Sequence, residues 1–341
     1  MKLFITGASG FLGQYVVAAA LRAGHEVQAV IRPTTDETRL AWHQHLRVKF
    51  ARLDLRQSRG ISEALEGVDT VLHLAATKGG DFYDRFAGTV IGTENLLNAI
   101  VNRNVKRLVA ISTFSVYDYL KMSPYSLLDE SAPIEEAPEN RDGYAQTKLI
   151  QEEMIRAFER ESGISVTIIR PGMIYGRECL WHALLGAELG ENRWLRIGRR
   201  SPMPMTYVEN CAEAIVLAAS CPEATGQTIN IVDDNPPRQN QYVQALLKHE
   251  KTPPKLIPMS WTLMQLMATL GWFVRQRLLH GEAKLPGILV PAQLYARFKP
   301  LRFSNQQAKK ILGWDPQYSL EEALQRSYSS QKLLVVSEAE N

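Results

Sequence analysis

The sequence predicts a doubly wound α/β fold, in which helices cover both faces of a parallel sheet, followed by a smaller C-terminal lobe. Short apolar runs alternate with helical patterns through the first half of the chain, as expected for such a sheet. Proline becomes frequent after residue 235, which indicates a separate lobe of short elements. The chain has 341 residues, 45% of them hydrophobic, and this is enough for a large core.

The apolar runs are short enough to be strands of one sheet. The strands are expected at residues 3–6, 27–31, 48–53, 68–74, 108–112, 166–170 and 228–232. Helices are expected at 11–23, 90–103, 178–189, 208–220 and 261–279, and near the end of the chain after Ser304 and Ser319. Right-handed crossovers would then bring the C-terminal ends of all these strands to one edge, where ligands bind.

Composition and charge exclude several classes of protein. The net charge of +3, with 22% charged residues, predicts no nucleic-acid partner. Cys179, Cys211 and Cys221 lack C-x-x-C spacing, so we expect no disulfide framework and no metal site. Neither a secretory signal nor a transmembrane segment is predicted, because the most apolar stretch, 261–279, is interrupted by polar residues. These features predict a cytoplasmic protein.

Three glycines stand between the first strand and the first helix. Gly7 allows a tight turn, Gly10 lets the backbone approach a pyrophosphate, and Gly13 lets the helix pack closely on the strand. The start of the helix, with Phe11 and Leu12, adds free N–H groups and a partial positive charge. The spacing is G-x-x-G-x-x-G, and its position between strand and helix predicts a dinucleotide site.

The following strand ends are expected to select the cofactor. An acidic residue after the second strand would bind the ribose 2′-hydroxyl of NAD, but Arg32 stands there and suits a 2′-phosphate. We therefore expect NADP, with NAD as the alternative if Arg32 is only a solvated residue. Further cofactor contacts are expected from Asp54 and Leu55 after the third strand, with Asp54 at the adenine amino group, and from Leu74, Ala75 and Ala76 after the fourth.

A phenol and an ammonium share one face of a later helix. Tyr144 and Lys148 are four residues apart, and the cation would stabilise a phenolate whose ordinary pKa is about 10. Such a phenol can exchange a proton with a substrate oxygen while hydride moves to or from a nicotinamide. Ser112, Thr113 and Ser115 end the fifth strand and are candidates to bind that oxygen.

Taken in order, these motifs resemble those of the extended short-chain dehydrogenases/reductases, also called the NAD-dependent epimerase/dehydratase family, whose main domain is a Rossmann fold. The resemblance covers nearly the whole chain. It is carried by Gly7 to Gly13, Asp54-Leu55, His73 to Ala76, Ser112-Thr113 with Val116-Tyr117, Tyr144 to Lys148, Arg170-Pro171-Gly172 with Tyr175-Gly176, Tyr207 to Asn210, and Arg302 to Ser304 with Leu312 to Trp314.

The resemblance implies a role for particular residues. Thr113 corresponds to the catalytic Ser/Thr, Tyr144 to the acid/base and Lys148 to its partner, which also holds the nicotinamide ribose. Ser112 and the backbone from Pro171 to Ile174 would lie against the nicotinamide. The family also implies a homodimer through a helix pair and a small-molecule substrate.

The chain departs from the family pattern in three places. Thr89 stands where the family often has Asn, and Asp118 follows Val116-Tyr117 where Gly is usual. Gly172-Met173 replaces the Phe-Asn pair that is common in the sugar-nucleotide branches. This last departure favours the branches that oxidise alcohols and reduce ketones.

The expected division of the chain follows from these motifs. Residues 1–176 and 204–234 are predicted to form the Rossmann domain, and residues 177–203 and 235–330 the substrate lobe. Residues 331–341 are predicted to be a disordered tail.

Two functions remain open at this point. The first is an NAD(P)-dependent oxidoreductase acting on an apolar ketone or secondary alcohol. The alternative is a sugar-nucleotide epimerase or dehydratase with tightly bound NAD, in which Arg193, Arg196, Arg199, Arg200 and Arg302 would clamp a diphosphate. In the lobe, an apolar stripe comprises Leu263, Leu266, Met267, Leu270 and Val274. It is predicted to be a packed helix face. The alternatives are a substrate pocket and a surface that rests on a membrane, with Arg275 and Arg277 near lipid phosphates.

Overall fold

The computed structural model describes residues 1–190, 192–250, 252–278 and 285–336. Its main element is a seven-stranded sheet in which every neighbouring pair is parallel. The strands of the described chain are β1 (Lys2–Thr6), β2 (Glu26–Ile31), β3 (Val48–Arg52), β4 (Thr70–His73), β5 (Arg107–Ile111), β6 (Leu127–Leu128), β7 (Ser165–Pro171), β8 (Met173–Tyr175), β9 (Ala187–Glu188), β10 (Arg193–Ile197), β11 (Met205–Tyr207), β12 (Thr228–Ile231), β13 (Lys255–Met259) and β14 (Arg302–Phe303).

The order of the large sheet is β12-β7-β5-β4-β1-β2-β3. The chain adds β2 and β3 on one side of β1, and then adds β4, β5, β7 and β12 on the other side. The strand order therefore reverses between β1 and β4. Ligands of open α/β sheets bind in the crevice at such a reversal, beside the C-terminal ends of the strands. The predicted doubly wound sheet is confirmed, and all seven predicted strands belong to it.

The described residues form eleven α-helices, some on the two faces of this sheet and others in a smaller group of elements beside it. They are α1 (Phe11–Arg22), α2 (Ile61–Ala64), α3 (Phe82–Phe86), α4 (Gly92–Val101), α5 (Gly143–Ser162), α6 (Val208–Ser220), α7 (Gln239–Leu247), α8 (Trp261–Arg277), α9 (Pro291–Phe298), α10 (Gln306–Leu312) and α11 (Leu320–Tyr328). A π-helical turn, Ala87–Ile91, joins α3 to α4.

Alternation along β1 explains why the sheet needs cover on both faces. Leu3 and Ile5 belong to the core beneath α1 and α6, whereas Phe4 belongs to the core beneath α4 and α5. All three side chains have no exposed surface. A strand that is buried on both faces reads as a continuous apolar run, which is the pattern in the sequence.

A smaller group of elements lies beside the main sheet. It contains the three-stranded sheet β13-β10-β9 and the helices α8 and α9, which share a cluster of buried apolar side chains. These elements come from the segments predicted to form the substrate lobe. No helix among the described residues is both long enough and apolar enough to cross a membrane.

Two expectations differ from the structure. The helix predicted at residues 178–189 is absent: the segment contains a 3₁₀ turn, Ala183–Leu185, and then β9. Gly186 breaks the helical pattern, because its φ is 145° and a Cβ there would lie 2.0 Å from the carbonyl oxygen of Leu195. The tail is ordered up to residue 336, since Leu333 is buried and its carbonyl accepts a hydrogen bond from Arg22. Residues 337–341 lie outside the described residues.

Candidate active site

The glycine turn at the end of β1 has the geometry of a phosphate cradle. Gly7 has a φ of 69°, and its carbonyl accepts the Gly10 N–H at 3.0 Å. A Cβ on Gly13 would lie 2.0 Å from the Gly7 oxygen, so only glycine lets α1 start this close to the strand. Gly10 is exposed and no side chain caps the helix. The first N–H groups of α1, from Phe11 onward, therefore face outward, as an anion requires.

The end of β4 is tied to the same turn by one hydroxyl. Thr6 Oγ1 accepts the backbone N–H groups of both Leu74 and Ala75, each at 3.1 Å. A Cβ on Gly7 would meet Ala75 N at 3.1 Å, so the two loops touch through backbone alone. These contacts place the predicted residues Leu74 to Ala76 beside the glycine turn, and the arrangement fits a dinucleotide.

The residues predicted to select the cofactor lie at the ends of β2 and β3. Arg32 is exposed and close enough to Asp54 to lower the pKa of that carboxyl. The larger cause is Arg56, whose guanidinium contacts Asp54 at 2.5 Å. The Leu55 carbonyl accepts the side-chain amide of Asn95 at 2.9 Å. Arg32 is thus available to an anion, whereas Asp54 is already paired.

Tyr144 and Thr113 are brought together although 30 residues separate them. Asp142 caps α5 by accepting the Ala145 N–H at 3.0 Å, and this puts Tyr144 in the first turn of the helix. Thr113 follows β5, and its hydroxyl, which donates to Ser115 Oγ at 3.3 Å, lies near enough to Tyr144 to act on the pKa of that phenol. Burial raises the pKa of Tyr144 to about 12, and the nearby Thr113 hydroxyl only partly offsets this. The phenol is therefore protonated in this structure, and the lowering of its pKa by Lys148 together with an oxidised nicotinamide stays a prediction.

Lys148 is buried beneath the site, with 3% of its surface exposed. Its Nζ donates to the Ile111 carbonyl and to Gln151 Oε1, both at 2.5 Å. Burial lowers its pKa to about 7. Ile111 and Gln151 take two of its N–H groups, and the groups that shift the Tyr144 pKa in this structure are burial, Thr113 and Asp142. A third position on Nζ is left for a ligand or a proton.

A chain of buried hydrogen bonds runs from Gln151 to the glycine turn. Gln151 Nε2 donates to Thr93 Oγ1 at 2.7 Å, and His73 Nε2 lies 2.9 Å from the same oxygen. His73 Nδ1 lies 2.8 Å from Thr6 Oγ1. All four side chains are buried, and burial lowers the pKa of His73 to about 3, so its ring is neutral.

The donors in this chain determine the tautomer of His73. Thr6 Oγ1 accepts two backbone N–H groups, so its own proton must be donated to His73 Nδ1. The ring proton is then on Nε2 and is donated to Thr93, whose hydroxyl donates to the Thr89 carbonyl at 2.5 Å. Gln151 Nε2 also lies 3.2 Å from His73 Nε2, which cannot accept a proton in this tautomer, so the Gln151 amide donates to Thr93. This arrangement holds Gln151 with its oxygen toward Lys148.

A second cluster lies beneath the fifth strand end. Ser112 Oγ donates to Glu152 at 2.5 Å, and Glu152 forms a buried ion pair with Arg170. The Arg170 guanidinium lies 4.8 Å from the centre of the Tyr117 ring. The Ser112 hydroxyl is therefore directed toward this cluster, and its backbone N–H donates to the Ile169 carbonyl at 2.7 Å. The cofactor contact expected of Ser112 stays a prediction.

The segment from Pro171 to Ile174 lies at the C-terminal end of β7. Pro171 is buried, and the Gly172 N–H donates to the Ile231 carbonyl at 2.9 Å. A Cβ on Gly172 would lie 2.2 Å from the Pro204 oxygen, so the bend there requires glycine. Ile174 is half-buried in β8, at the same edge as the glycine turn.

The basic residues proposed for a diphosphate clamp are only partly gathered. Arg196 and Arg199 are close enough that Arg199 lowers the pKa of Arg196, after the larger effect of burial. Arg302 instead donates its Nε to the Tyr125 carbonyl at 3.0 Å. Within the described ranges, no group of three or more His, Cys, Asp or Glu side chains is placed to hold a metal ion.

Sequence reasoning missed the residues that support Lys148. Gln151 and Glu152 follow Lys148 by three and four positions, so helix spacing alone places them on its face. Lys78, which lowers the Lys148 pKa, and Thr93 come from distant segments and carry no such signal.

Comparisons with known proteins place the chain in a family. The model of the NAD dependent epimerase/dehydratase family matches residues 3–232. A Mycobacterium tuberculosis protein described as 3 beta-hydroxysteroid dehydrogenase/Delta 5-->4-isomerase is 28% identical over 95% of this chain and 88% of its own length. A 2-alkyl-3-oxoalkanoate reductase of Stenotrophomonas maltophilia is 29% identical over 97% of this chain and 99% of its own.

Solved structures show the same fold. A UDP-glucuronic acid 4-epimerase from Bacillus cereus, in complex with UDP-glucuronic acid and NAD, matches with a TM-score of 0.71 at 22% identity, covering 96% of this chain and 98% of its own. The family match spans the glycine turn, Tyr144 and Lys148. The chain belongs to the NAD dependent epimerase/dehydratase family and is an NAD(P)-dependent enzyme of the extended short-chain dehydrogenase/reductase type.

Proposed function

We propose that the protein is an NADP-linked oxidoreductase that interconverts a ketone and a secondary alcohol on a predominantly apolar substrate. The observation that carries the proposal is the position of Tyr144 in the first turn of α5, near Thr113 at the end of β5, on the edge of the sheet where the glycine turn lies. Two relatives aligned over almost the whole chain are a hydroxysteroid dehydrogenase and an oxoalkanoate reductase, and this supports carbonyl chemistry on apolar molecules.

The roles of the residues follow from their surroundings. A bound nicotinamide supplies or accepts the hydride. In reduction, the Tyr144 hydroxyl gives its proton to the substrate oxygen, and Thr113 donates a hydrogen bond to that oxygen. Tyr144 must then regain a proton from solvent. Lys148 holds the nicotinamide ribose hydroxyls with the Nζ position that Ile111 and Gln151 leave open. Once the cofactor is bound, its positive form is proposed to stabilise the phenolate that Tyr144 becomes on giving up its proton.

The cofactor assignment rests on Arg32. Its guanidinium is exposed at the end of β2, and Asp54, the nearby carboxylate, is occupied by Arg56. A planar guanidinium pairs with a phosphate in bidentate fashion, so NADP suits this site better than NAD. The pyrophosphate would be held by Gly7, Gly10, Phe11, Leu12 and Gly13. The nucleotide would lie along Leu55 and Leu74 to Ala76, and the nicotinamide near Ser112, Pro171 and Ile174.

A sugar-nucleotide epimerase is the second candidate. Arg196 and Arg199 form a pair of cations, and Arg196 Nε is buried without a hydrogen-bond partner among the described residues. A diphosphate would satisfy both groups. Net redox turnover is nevertheless favoured, because Gly172-Met173 replaces the Phe-Asn pair that is common in the sugar-nucleotide branches.

Oxidation of NADPH in the presence of apolar ketones tests the proposal. Long-chain 3-oxo acids and 3-oxo steroids should be reduced, with loss of the absorbance of the reduced nicotinamide. Thr113→Ala should lose most of that rate. Interconversion of UDP-sugars without net consumption of cofactor, and no reduction of any ketone, would favour the epimerase instead. We also propose, from the family alone, that the protein is a homodimer.

A further inference from the structure

Helix α5 carries a carboxylate one turn after its buried lysine. Lys148 and Glu152 are four residues apart, so their side chains are neighbours on one face of the helix. The two groups nevertheless do not pair: within the part of the chain that the structure describes, Lys148 forms no ion pair. Its Nζ donates instead to the neutral oxygens of Ile111 and Gln151, both at 2.5 Å. Something therefore keeps the carboxylate away from the ammonium.

Arg170 and Ser112 occupy both oxygens of the Glu152 carboxylate. Ser112 Oγ donates to Oε2 at 2.5 Å, and Arg170 Nε donates to the same oxygen at 3.2 Å. A second guanidinium nitrogen of Arg170 pairs with Oε1. The side chains of Arg170 and Glu152 are only 6% and 11% exposed, so water competes little for these contacts. The carboxylate is thus bound toward β5 and β7.

The end of β5 separates the two charged groups of α5. The Ile111 carbonyl accepts a hydrogen bond from Lys148, and the hydroxyl of the next residue, Ser112, is donated to Glu152. The Ser112 backbone N–H donates to the Ile169 carbonyl at 2.7 Å, which fixes this strand end against β7. Neighbouring residues of one rigid strand therefore direct the ammonium and the carboxylate to different partners.

Arg170 is held in place by an aromatic ring as well. Its guanidinium lies 4.8 Å from the centre of the Tyr117 ring, and the Tyr117 hydroxyl donates to Asn230 Oδ1 at 2.7 Å. Asn230 is the partner of Arg170 in the register of β12 and β7. Burial raises the pKa of Glu130, a second carboxyl near this cluster, and the Arg170 charge partly offsets this. These contacts fix the guanidinium beside Glu152.

We propose that Arg170 is a positioning residue that, with Ser112, holds the Glu152 carboxylate off Lys148 and so keeps the third position of Nζ open for the ribose of the nicotinamide cofactor. Without Arg170, the released carboxylate would lie one helical turn from the ammonium and would take that position itself. The inference rests on the proposed role of Lys148 in holding the cofactor. It concerns cofactor binding alone, so it does not depend on the identity of the substrate.

The charges around Lys148 provide a second readout. Burial lowers the Lys148 pKa to about 7, the Glu152 charge raises it, and the charge of Lys78, after β4, lowers it. His73, which is buried near Lys148, is neutral. Removal of Arg170 should raise the Lys148 pKa, because it leaves the Glu152 charge without its counter-ion, whereas removal of Glu152 should lower it. A pair that only links β7 to α5 would not produce shifts of opposite sign.

Fluorescence titration with NADPH, at a pH below the Lys148 pKa, tests the proposal without any substrate. Arg170→Met should raise the Kd about tenfold or more, because Nζ loses a charge-assisted hydrogen bond to the ribose. The double variant Arg170→Met/Glu152→Gln should bind within about threefold of the parent, because it leaves no buried carboxylate to reach Lys148. Arg156→Met is the matched control: it breaks the 2.8 Å contact between Arg156 and Glu159, about two turns further along α5, and should leave the Kd unchanged.

Two further measurements keep the test decisive. An unpaired buried carboxylate can destabilise the fold, so Ser112→Ala, which removes only one donor to Glu152, should raise the Kd less than Arg170→Met does. The same substitution in a Glu152→Gln background should have no effect. The Kd should also rise with pH through the Lys148 pKa, and the midpoint of that rise should move to higher pH in Arg170→Met and to lower pH in Glu152→Gln.

The outcomes separate this inference from the proposed function. The inference is overturned if Arg170→Met binds NADPH like the parent, if the double variant binds as weakly as Arg170→Met, or if both midpoints move in the same direction. If Arg170→Met does not fold, an equal effect of Ser112→Ala in both backgrounds overturns it. Lys148→Met that binds NADPH like the parent would remove the proposed role of Lys148 and this inference with it. Failure to reduce any ketone would contradict only the proposed reaction, because the titrations contain no substrate.

Discussion

Replacing Gln151 should move the pKa of Lys148, and the direction can be chosen by the substitution. Gln151 Oε1 accepts a hydrogen bond from the buried Lys148 ammonium at 2.5 Å. A hydrogen bond to a charged group contributes about 1.5–3 kcal/mol. At 1.36 kcal/mol for each pKa unit, Gln151→Met should lower the Lys148 pKa by about one to two units. Gln151→Glu places a carboxylate beside the ammonium and should raise it.

The assay is the pH profile of kcat/KM for NADPH, which reports the free enzyme. Burial already lowers the Lys148 pKa to about 7. Under the proposed function, the cation is the form that stabilises the Tyr144 phenolate. Activity should therefore fall as the pH rises through the Lys148 pKa. The falling limb should move to lower pH in Gln151→Met and to higher pH in Gln151→Glu. Gln307→Met is the control, because the Gln307 amide bonds the Thr228 carbonyl far from Lys148. The reasoning would be refuted if the falling limbs of the two Gln151 variants stayed at the pH of the parent's limb, or if both shifted in the same direction.

Four other outcomes are expected. Tyr144→Phe should lower turnover by about 10²–10⁴ and leave the Kd for NADPH nearly unchanged, and retained turnover in the stopped-flow trace would remove the assigned acid/base role. Arg32→Glu should weaken NADPH more than NADH in fluorescence titrations, so an equal loss for both would contradict the phosphate contact. Gly13→Ala should weaken both nucleotides and lower the melting temperature, because its Cβ would lie 2.0 Å from the Gly7 oxygen, and a variant as tight and as stable as the parent would show that the turn can relax. His73, with a pKa of about 3 in the fold against an ordinary 6.5, binds fewer protons than in the unfolded chain between those values, so stability should fall as the pH falls through that window. Urea midpoints of His73→Gln should show a shallower fall over the same range.

The sequence was most informative where local chemistry is decisive. The glycine turn, the seven strands of the sheet and the helix that carries Tyr144 and Lys148 each follow from a few neighbouring residues, and the structure agrees on all three. The family match confirms the reading of these motifs as an NAD(P)-dependent enzyme. The assignment of individual catalytic and cofactor-binding residues stays a prediction, as does the division into two domains.

Sequence reasoning failed where long-range contacts decide. Gly186 packs against the Leu195 carbonyl in β10, so the segment 178–189, which was predicted to be a helix, forms a turn and a strand. The spacing of apolar residues in α8 shows that a stripe exists but not which of its sides meets the lobe, and most of the stripe predicted to be packed is exposed. The pKa of Tyr144 depends on burial and on the neighbouring Thr113 and Asp142, and a four-residue spacing shows neither the burial nor the contact with Thr113.

The most direct test of the proposed function is the identity of the nucleotide in the freshly purified protein, found by denaturation and mass measurement, followed by titration with NADPH and NADH. An oxidoreductase exchanges its cofactor in every cycle, so we expect little retained nucleotide and tighter binding of NADPH than of NADH. Stoichiometric NAD that stays bound through purification would contradict the account, because an epimerase regenerates its cofactor within each turnover and has no need to release it.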